Sequence, residues 1–152
     1  MKEHKKTHEK LNKTKSIDDI IKDSPNMESA KAVAIRTIMG NAQAAMGSIT
    51  MEINNKKMFI ENDKIARTMM PTIMLKQDCV MQTNNESGFF ILTYEECLAA
   101  LEKYAQKRIR TANKANDYIN EIRDTKTIEE LLAAKDRALA AIIEIGQEEI
   151  TI

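Results

Sequence analysis

Two histidines, two cysteines and four adjacent carboxylate pairs are the side chains of this sequence best suited by type and spacing to chemistry. His4 and His8 stand four apart, so on a helix they would share one face, as zinc ligands often do. Two ligands are half of a tetrahedral site, however, and the segment that carries them has no apolar pattern to make it helical. With no other histidine in the chain, a Ser–His or Cys–His pair would have to draw on that same segment. Cys79 and Cys97 belong to no CxxC pair. They fall among apolar neighbours in a predicted strand and a predicted helix, where cysteine behaves as a small hydrophobe. The carboxylate pairs are Asp18-Asp19, Glu95-Glu96, Glu129-Glu130 and Glu148-Glu149. Glu95-Glu96 and Glu129-Glu130 sit in predicted first helical turns, where negative charge complements the helix dipole; the others read as solvated surface. The four glycines form no phosphate-binding loop. The expectation is therefore no enzyme, no metal and no cofactor.

The elements around these residues are legible from periodicity and caps. Residues 1–15 hold almost nothing apolar and carry Lys2, Lys5, Lys6, Lys10, Lys13 and Lys15 against two Glu. They cannot bury enough surface to offset the entropy of ordering, so residues 1–23 are expected to be a flexible basic arm, with at most one helical turn at Ile17–Ile21 capped by Ser16. A single domain is expected over 24–146. Ser24-Pro25 predicts a helix start, and Met27, Ala30, Ala34, Ile38, Ala42 and Ala45 continue it at helical spacing to Gly47, with Gly40 either weakening it slightly or letting something pack close. Ile49, Met51 and Ile53 alternate with polar residues, and Met58–Ile60 follows a polar turn, which predicts a hairpin. Asn62 is a possible cap for a helix to about Lys76, which Pro71 must kink or split. Residues 79–83 and 89–92 predict a second hairpin. Thr93 with Glu96, and Thr127 with Glu130, are two capping boxes. They open a helix to about Arg123 and a last helix ended by Gly146. Residues 147–152 are left as a tail. The fold class is α+β, mostly helical: three main helices, two short β-hairpins and the arm.

Composition narrows the function classes. The chain has 152 residues, 43% hydrophobic and 30% charged, with 23 basic and 23 acidic side chains. Nothing global draws it to nucleic acid. The lysine arm lacks arginine and aromatics, so a phosphate backbone is a weaker reading than a solvated arm or one that orders on an acidic protein partner. No apolar run approaches the roughly 18 residues of a membrane span, the first sixteen residues lack a signal-peptide core, and two unpaired thiols suit a reducing compartment. Aromatics are 4% and Met is abundant at ten residues, so the core must be aliphatic and Met is available for gap filling or for adaptable surfaces.

The long helix carries the main functional expectation. Leu98, Leu101, Ala105, Arg108, Ala112, Ala115, Ile119 and Ile122 follow alternating steps of three and four, a heptad seam with one charged break. The last helix adds Leu131, Leu132, Ala138, Leu139, Ile142 and Ile143, more apolar surface than one helix face holds. The seam is expected to pack against the first and last helices or else to form a self-association stripe, and some of the last helix's surplus must find another element or another chain. The expected interaction residues are Leu98, Leu101, Ile119, Ile122, Leu131, Leu132, Leu139, Ile142 and Ile143, together with the lysines of the arm.

The element order and two local stretches, FFILTYEE at 89–96 and INEIRDTKTIEELLAA at 119–134, resemble a bacteriophage-associated domain of unknown function found in tail-fibre-related and tail-fibre-assembly proteins. The resemblance spans roughly 31–134. It implies a virion structural protein, tail- or fibre-associated, assembled in the host cytoplasm with other phage structural proteins. It implies no catalytic residues. A homo-oligomer is expected. The alternatives are a transient tail-fibre assembly chaperone with the same surfaces, and a small nucleic-acid-binding regulator that uses the arm.

Overall fold

The computed structural model describes residues 15–53, 56–82 and 89–152. Helix α1 (Ile17–Lys22) leads into α2 (Met27–Met46). Strands β1 (Ser48–Ile53) and β2 (Lys56–Glu61) form an antiparallel hairpin. A helical segment follows in three parts: α3 (Asn62–Lys64), a π-helical turn (Ile65–Met69) and α4 (Met70–Met74). Strands β3 (Cys79–Met81) and β4 (Phe90–Leu92) pair antiparallel. The long α5 (Tyr94–Asp124) and α6 (Ile128–Gly146) come next, and β5 (Ile150–Thr151) closes the chain. The α+β, mostly helical class holds.

Two cores lie end to end along α5. The first joins the sheets to the beginning of α5 through Ile49, Met51, Ile60, Met69, Leu92 and Cys97. The second joins α1, α2, α6 and the later part of α5 through Ile21, Ile38, Ile119, Ile122, Leu131 and Ile142. Here α2, α5 and α6 form a three-helix bundle in which each contacts the other two. α2 reaches close to the end of α6: a Cβ added at Gly146 would lie 3.2 Å from Ala45 Cβ.

Several local expectations are corrected. The arm does not extend to residue 23, because Ile17–Lys22 is helical and Ile21 is fully buried. Lys15 pairs with Asp23 at 3.1 Å; the other five arm lysines, His4 and His8 lie outside the described residues. Asn26, not Ser24, caps α2, accepting from Ser29 N at 2.8 Å. Ser24 instead closes α1, donating to the Ile20 carbonyl. Of the two roles expected for Gly40 the close approach is not realised, since a Cβ added there would meet open space. Asn62 does not cap its helix; its Oδ1 lies 2.8 Å from the Tyr104 hydroxyl. Pro71 sits in the first turn of α4, where its missing N–H is tolerated, and the π turn immediately before it divides the segment by a change of helix type. The Thr93–Glu96 capping box is complete. At α6 only half of one forms: Thr127 caps Glu130 N, while Glu130 accepts from Lys126 N.

The C-terminal residues are not a free tail. β5 adds to the open edge of β1 in parallel, Met51 opposite Ile150 and Glu52 opposite Thr151, giving the order β2-β1-β5. So the first hairpin is part of a three-stranded sheet.

Candidate interaction surface

The seam read from the sequence does not all face one way. On α5 the buried side chains are Cys97, Ala100, Tyr104, Lys107, Thr111, Ala115, Ile119 and Ile122. Over the first half of the helix each lies one residue before its expected counterpart. Leu98, Leu101 and Ala112 are only half-buried, and Ala105 and Arg108 are exposed. The two patterns converge at Ala115, so Ile119 and Ile122 point into the bundle. The inward face is more polar than the outward one, and each polar group there finds a partner. The Tyr104 hydroxyl lies 2.8 Å from both the Met46 carbonyl and Asn62 Oδ1. Thr111 donates to the Lys107 carbonyl at 2.8 Å.

Two lysines sit in apolar stripes, each 4% exposed. Lys107 Nζ donates to the carbonyls of Gly146 and Glu148, both at 3.1 Å, a cation on the negative end of α6. Burial pushes its pKa down despite nearby Glu148. Lys135 is held by Asp18 and Asp136. Burial opposes its charge, but the two carboxylates outweigh it and the pKa rises. Sequence reasoning missed both. The signal was present: Lys107 lies four before Thr111 and three after Tyr104, and Lys135 lies four after Leu131, each interrupting a run of buried spacing.

The carboxylate pairs first read as solvated are also engaged. Asp18 docks α1 on α6 through Lys135. Glu148 pairs with Arg110, Oε1 lying 3.1 Å from Nη1, and Glu149 pairs with Lys57 at 3.0 Å. Lys103 donates to the Thr151 carbonyl. The C-terminal segment is thus tied down by four cations. The Arg110 hydrogen bond, against some loss from burial, holds Glu148 below the ordinary carboxylate value of 4.5. A group whose folded pKa is depressed stabilises the fold above its unfolded pKa, and that contribution is lost as pH falls through the folded value. Acidification below pH 4.5 is therefore expected to free β5 before the bundle melts. Amide exchange at Ile150–Ile152, corrected for intrinsic rates, should accelerate there and should lose this pH dependence in Glu148→Gln.

Both cysteines are fully buried and unpaired. Burial first, and then the neighbouring Cys79, push the Cys97 thiol up to about 11, so it stays protonated at neutral pH. Among the described residues no group of three or more His, Cys, Asp or Glu could hold a metal, and no helix is long and apolar enough to cross a membrane.

The last helix uses most of its apolar surplus internally. Leu131 and Ile142 are fully buried, Leu132 and Leu139 pack at the margin of the same core, and of the helix's large apolar side chains only Ile143 stays exposed, at 49%. Of the two places expected for that surplus, another element or another chain, most of it finds the first, because α1 and α2 cover it. Uncovered apolar surface lies elsewhere. The outer face of β3–β4 presents Val80 and its cross-strand partner Ile91, 53% and 64% exposed, with Phe89 beside them at 76%. Alternation had marked this hairpin but not its two apolar faces. Along α5, Leu98, Leu101, Ala105, Arg108 and Ile109 face Ile65, Met70 and Ile73 across a hollow of about 650 Å³. A second hollow of about 610 Å³ lies between α5 and α2, lined by Ile35, Met39, Ala42, Met46, Ala112, Ala115 and Ile119. The outward seam residues line these two hollows. Compared with known proteins, the chain matches no family model, no curated protein and no solved structure.

Proposed function

We propose that this chain is an assembly protein that works by binding other protein chains, copies of itself included, through apolar surface left over when its own fold is satisfied. The observation that carries this reading is the outer face of β3–β4. Val80, Ile91 and Phe89 are more than half exposed on a two-stranded sheet whose other face already fills the core. Contiguous apolar surface of this kind marks an interaction site more often than chance. The setting in a bacteriophage tail or fibre rests on the FFILTYEE and INEIRDTKTIEELLAA resemblance. Within it a structural component of the virion is the first reading and a transient assembly chaperone the second; mass spectrometry of purified particles separates them, since only the component remains. A nucleic-acid regulator that uses the lysine arm stands behind both.

Salt dependence distinguishes these modes of binding. Apolar association persists or strengthens as sodium sulfate is added. Binding through lysines to phosphates falls steeply with salt. Sedimentation velocity on the full chain across an ionic-strength series is expected to give the first behaviour. Loss of all association at high salt would contradict an apolar working surface.

A further inference from the structure

The three long helices enclose three lengthwise grooves, and two are already occupied or bridged. α1 lies against α2 and α6, seated by fully buried Ile21 and by Asp18 on the Lys135 ammonium. The groove between α5 and α6 is spanned by the Arg110–Glu148 and Arg137–Glu121 pairs, and its hollows are lined largely by charged side chains. The groove between α2 and α5 is open, with a volume of about 610 Å³. Ala42, Ala112 and Ala115 line it, and Met39, 48% exposed, stands on its wall. Arg123 lines one end. Arg108 lies just beyond the other, lining the adjoining hollow with Glu102, and donates to the carbonyl of Met46, itself a groove residue, at 3.1 Å while lying over the Tyr104 ring. No carboxylate lines this groove among the described residues, and neither arginine pairs with one.

We propose that this groove receives a fourth helix, an acidic amphipathic helix from a different protein, with an aliphatic stripe and a carboxylate toward each end. The proposal rests on the assembly reading above and names a partner class for it. Arg108 and Arg123 are fifteen residues apart, so a helix of about four turns, roughly 22 Å long, spans them. Alanines along the groove let an incoming helix settle at the close end of the usual range of about 8–10 Å between axes. The molecule holds its own precedent: α1 is a short acidic helix with an apolar stripe, docked in the neighbouring groove by Ile21 and a carboxylate–lysine contact. Charge selects the occupant. A second copy that lays α5 antiparallel along α5 sets Arg108 against Arg123; in parallel, each arginine meets its equivalent. Like charges facing across a contact oppose both. Residues 1–14 of the chain carry five lysines and two glutamates, the wrong sign for this groove.

The test uses the full chain and a labelled synthetic helical peptide of about 20 residues with a Leu/Ala stripe and one Glu near each end, followed by fluorescence anisotropy. Its twin carries Lys at the two Glu positions. The Glu peptide is expected to bind saturably, with the Lys twin about tenfold weaker. Arg108→Glu with Arg123→Glu should reverse that preference, and Ala112→Trp should block both peptides by filling the groove. If the double variant fails to fold, Arg123→Glu alone should still narrow the difference severalfold. Equal binding of the two peptides, an unreversed preference, or no binding of either overturns the proposal. So does self-association that Ala112→Trp abolishes, because the groove is then filled by a copy. Sedimentation of the same samples separates the two readings. A chain that associates but ignores both peptides loses only this groove assignment; a strict monomer that ignores both loses the assembly reading as well.

Discussion

Replacing Leu131 by Ala is expected to lower the unfolding free energy by about 2–5 kcal/mol, the range for a large aliphatic removed from a packed core. Leu131 is fully buried where α6 meets α2, in the same cluster as Ile38, Ile122 and Ile142. It has no solvent-facing side on which the cavity could relax cheaply. Ile143, twelve residues later on the same helix and half exposed, provides the control. Its replacement by Ala should cost no more than about 0.5 kcal/mol, as for ordinary surface positions. Urea titrations of the two variants measure this directly. Equal losses would mean that α6 packs by a face other than the one described, and the division between internal and outward apolar surface would fail with it.

The second large effect concerns association. Val80→Glu combined with Ile91→Glu is expected to abolish self-association while changing folding stability by no more than about 1 kcal/mol, since both side chains point to solvent on one face of β3–β4. Fully burying one such side chain contributes about 1.5–3 kcal/mol. Four of them, two from each copy and each starting half to two-thirds exposed, amount to roughly 4 kcal/mol, about a thousandfold in dissociation constant. Facing glutamates would add repulsion to that loss. Unfolding midpoints at a concentration where the parent chain is monomeric would separate lost binding from lost folding.

How much was legible depends on which physical signal marked each element. Caps and hydrophobic spacing placed the three long helices within a few residues, because Thr93 with Glu96 and the Ala30–Ala34–Ile38–Ala42 run are local signals. The direction of α5 was harder. Apolar periodicity favoured Leu98, Leu101 and Ala105 as the inward face, yet the chain turns Cys97, Tyr104, Lys107 and Thr111 inward. Their polar tips reach acceptors that only the folded chain provides: the Met46 carbonyl, the end of α6, and a carbonyl one turn back. A residue type cannot report such an acceptor in advance. The same reason hid β5. Two residues have no periodicity, and their place beside β1 depends on cations supplied by α5 and β2. Seam positions 98–112 kept their outward exposure for this reason, while Ile119, Ile122, Leu131 and Ile142 became core. Of the expected interaction residues, Leu98, Leu101 and Ile119 line the two hollows beside α5, and the β3–β4 face is a further exposed apolar surface.

The most direct test is the mass of the unmodified chain in solution, measured by light scattering on size-exclusion peaks over a rising concentration series. The account predicts a mass that climbs above the 17.3 kDa of one chain as concentration increases. A peak that stays at one chain across the series would contradict the claim that leftover apolar surface brings copies of this protein together.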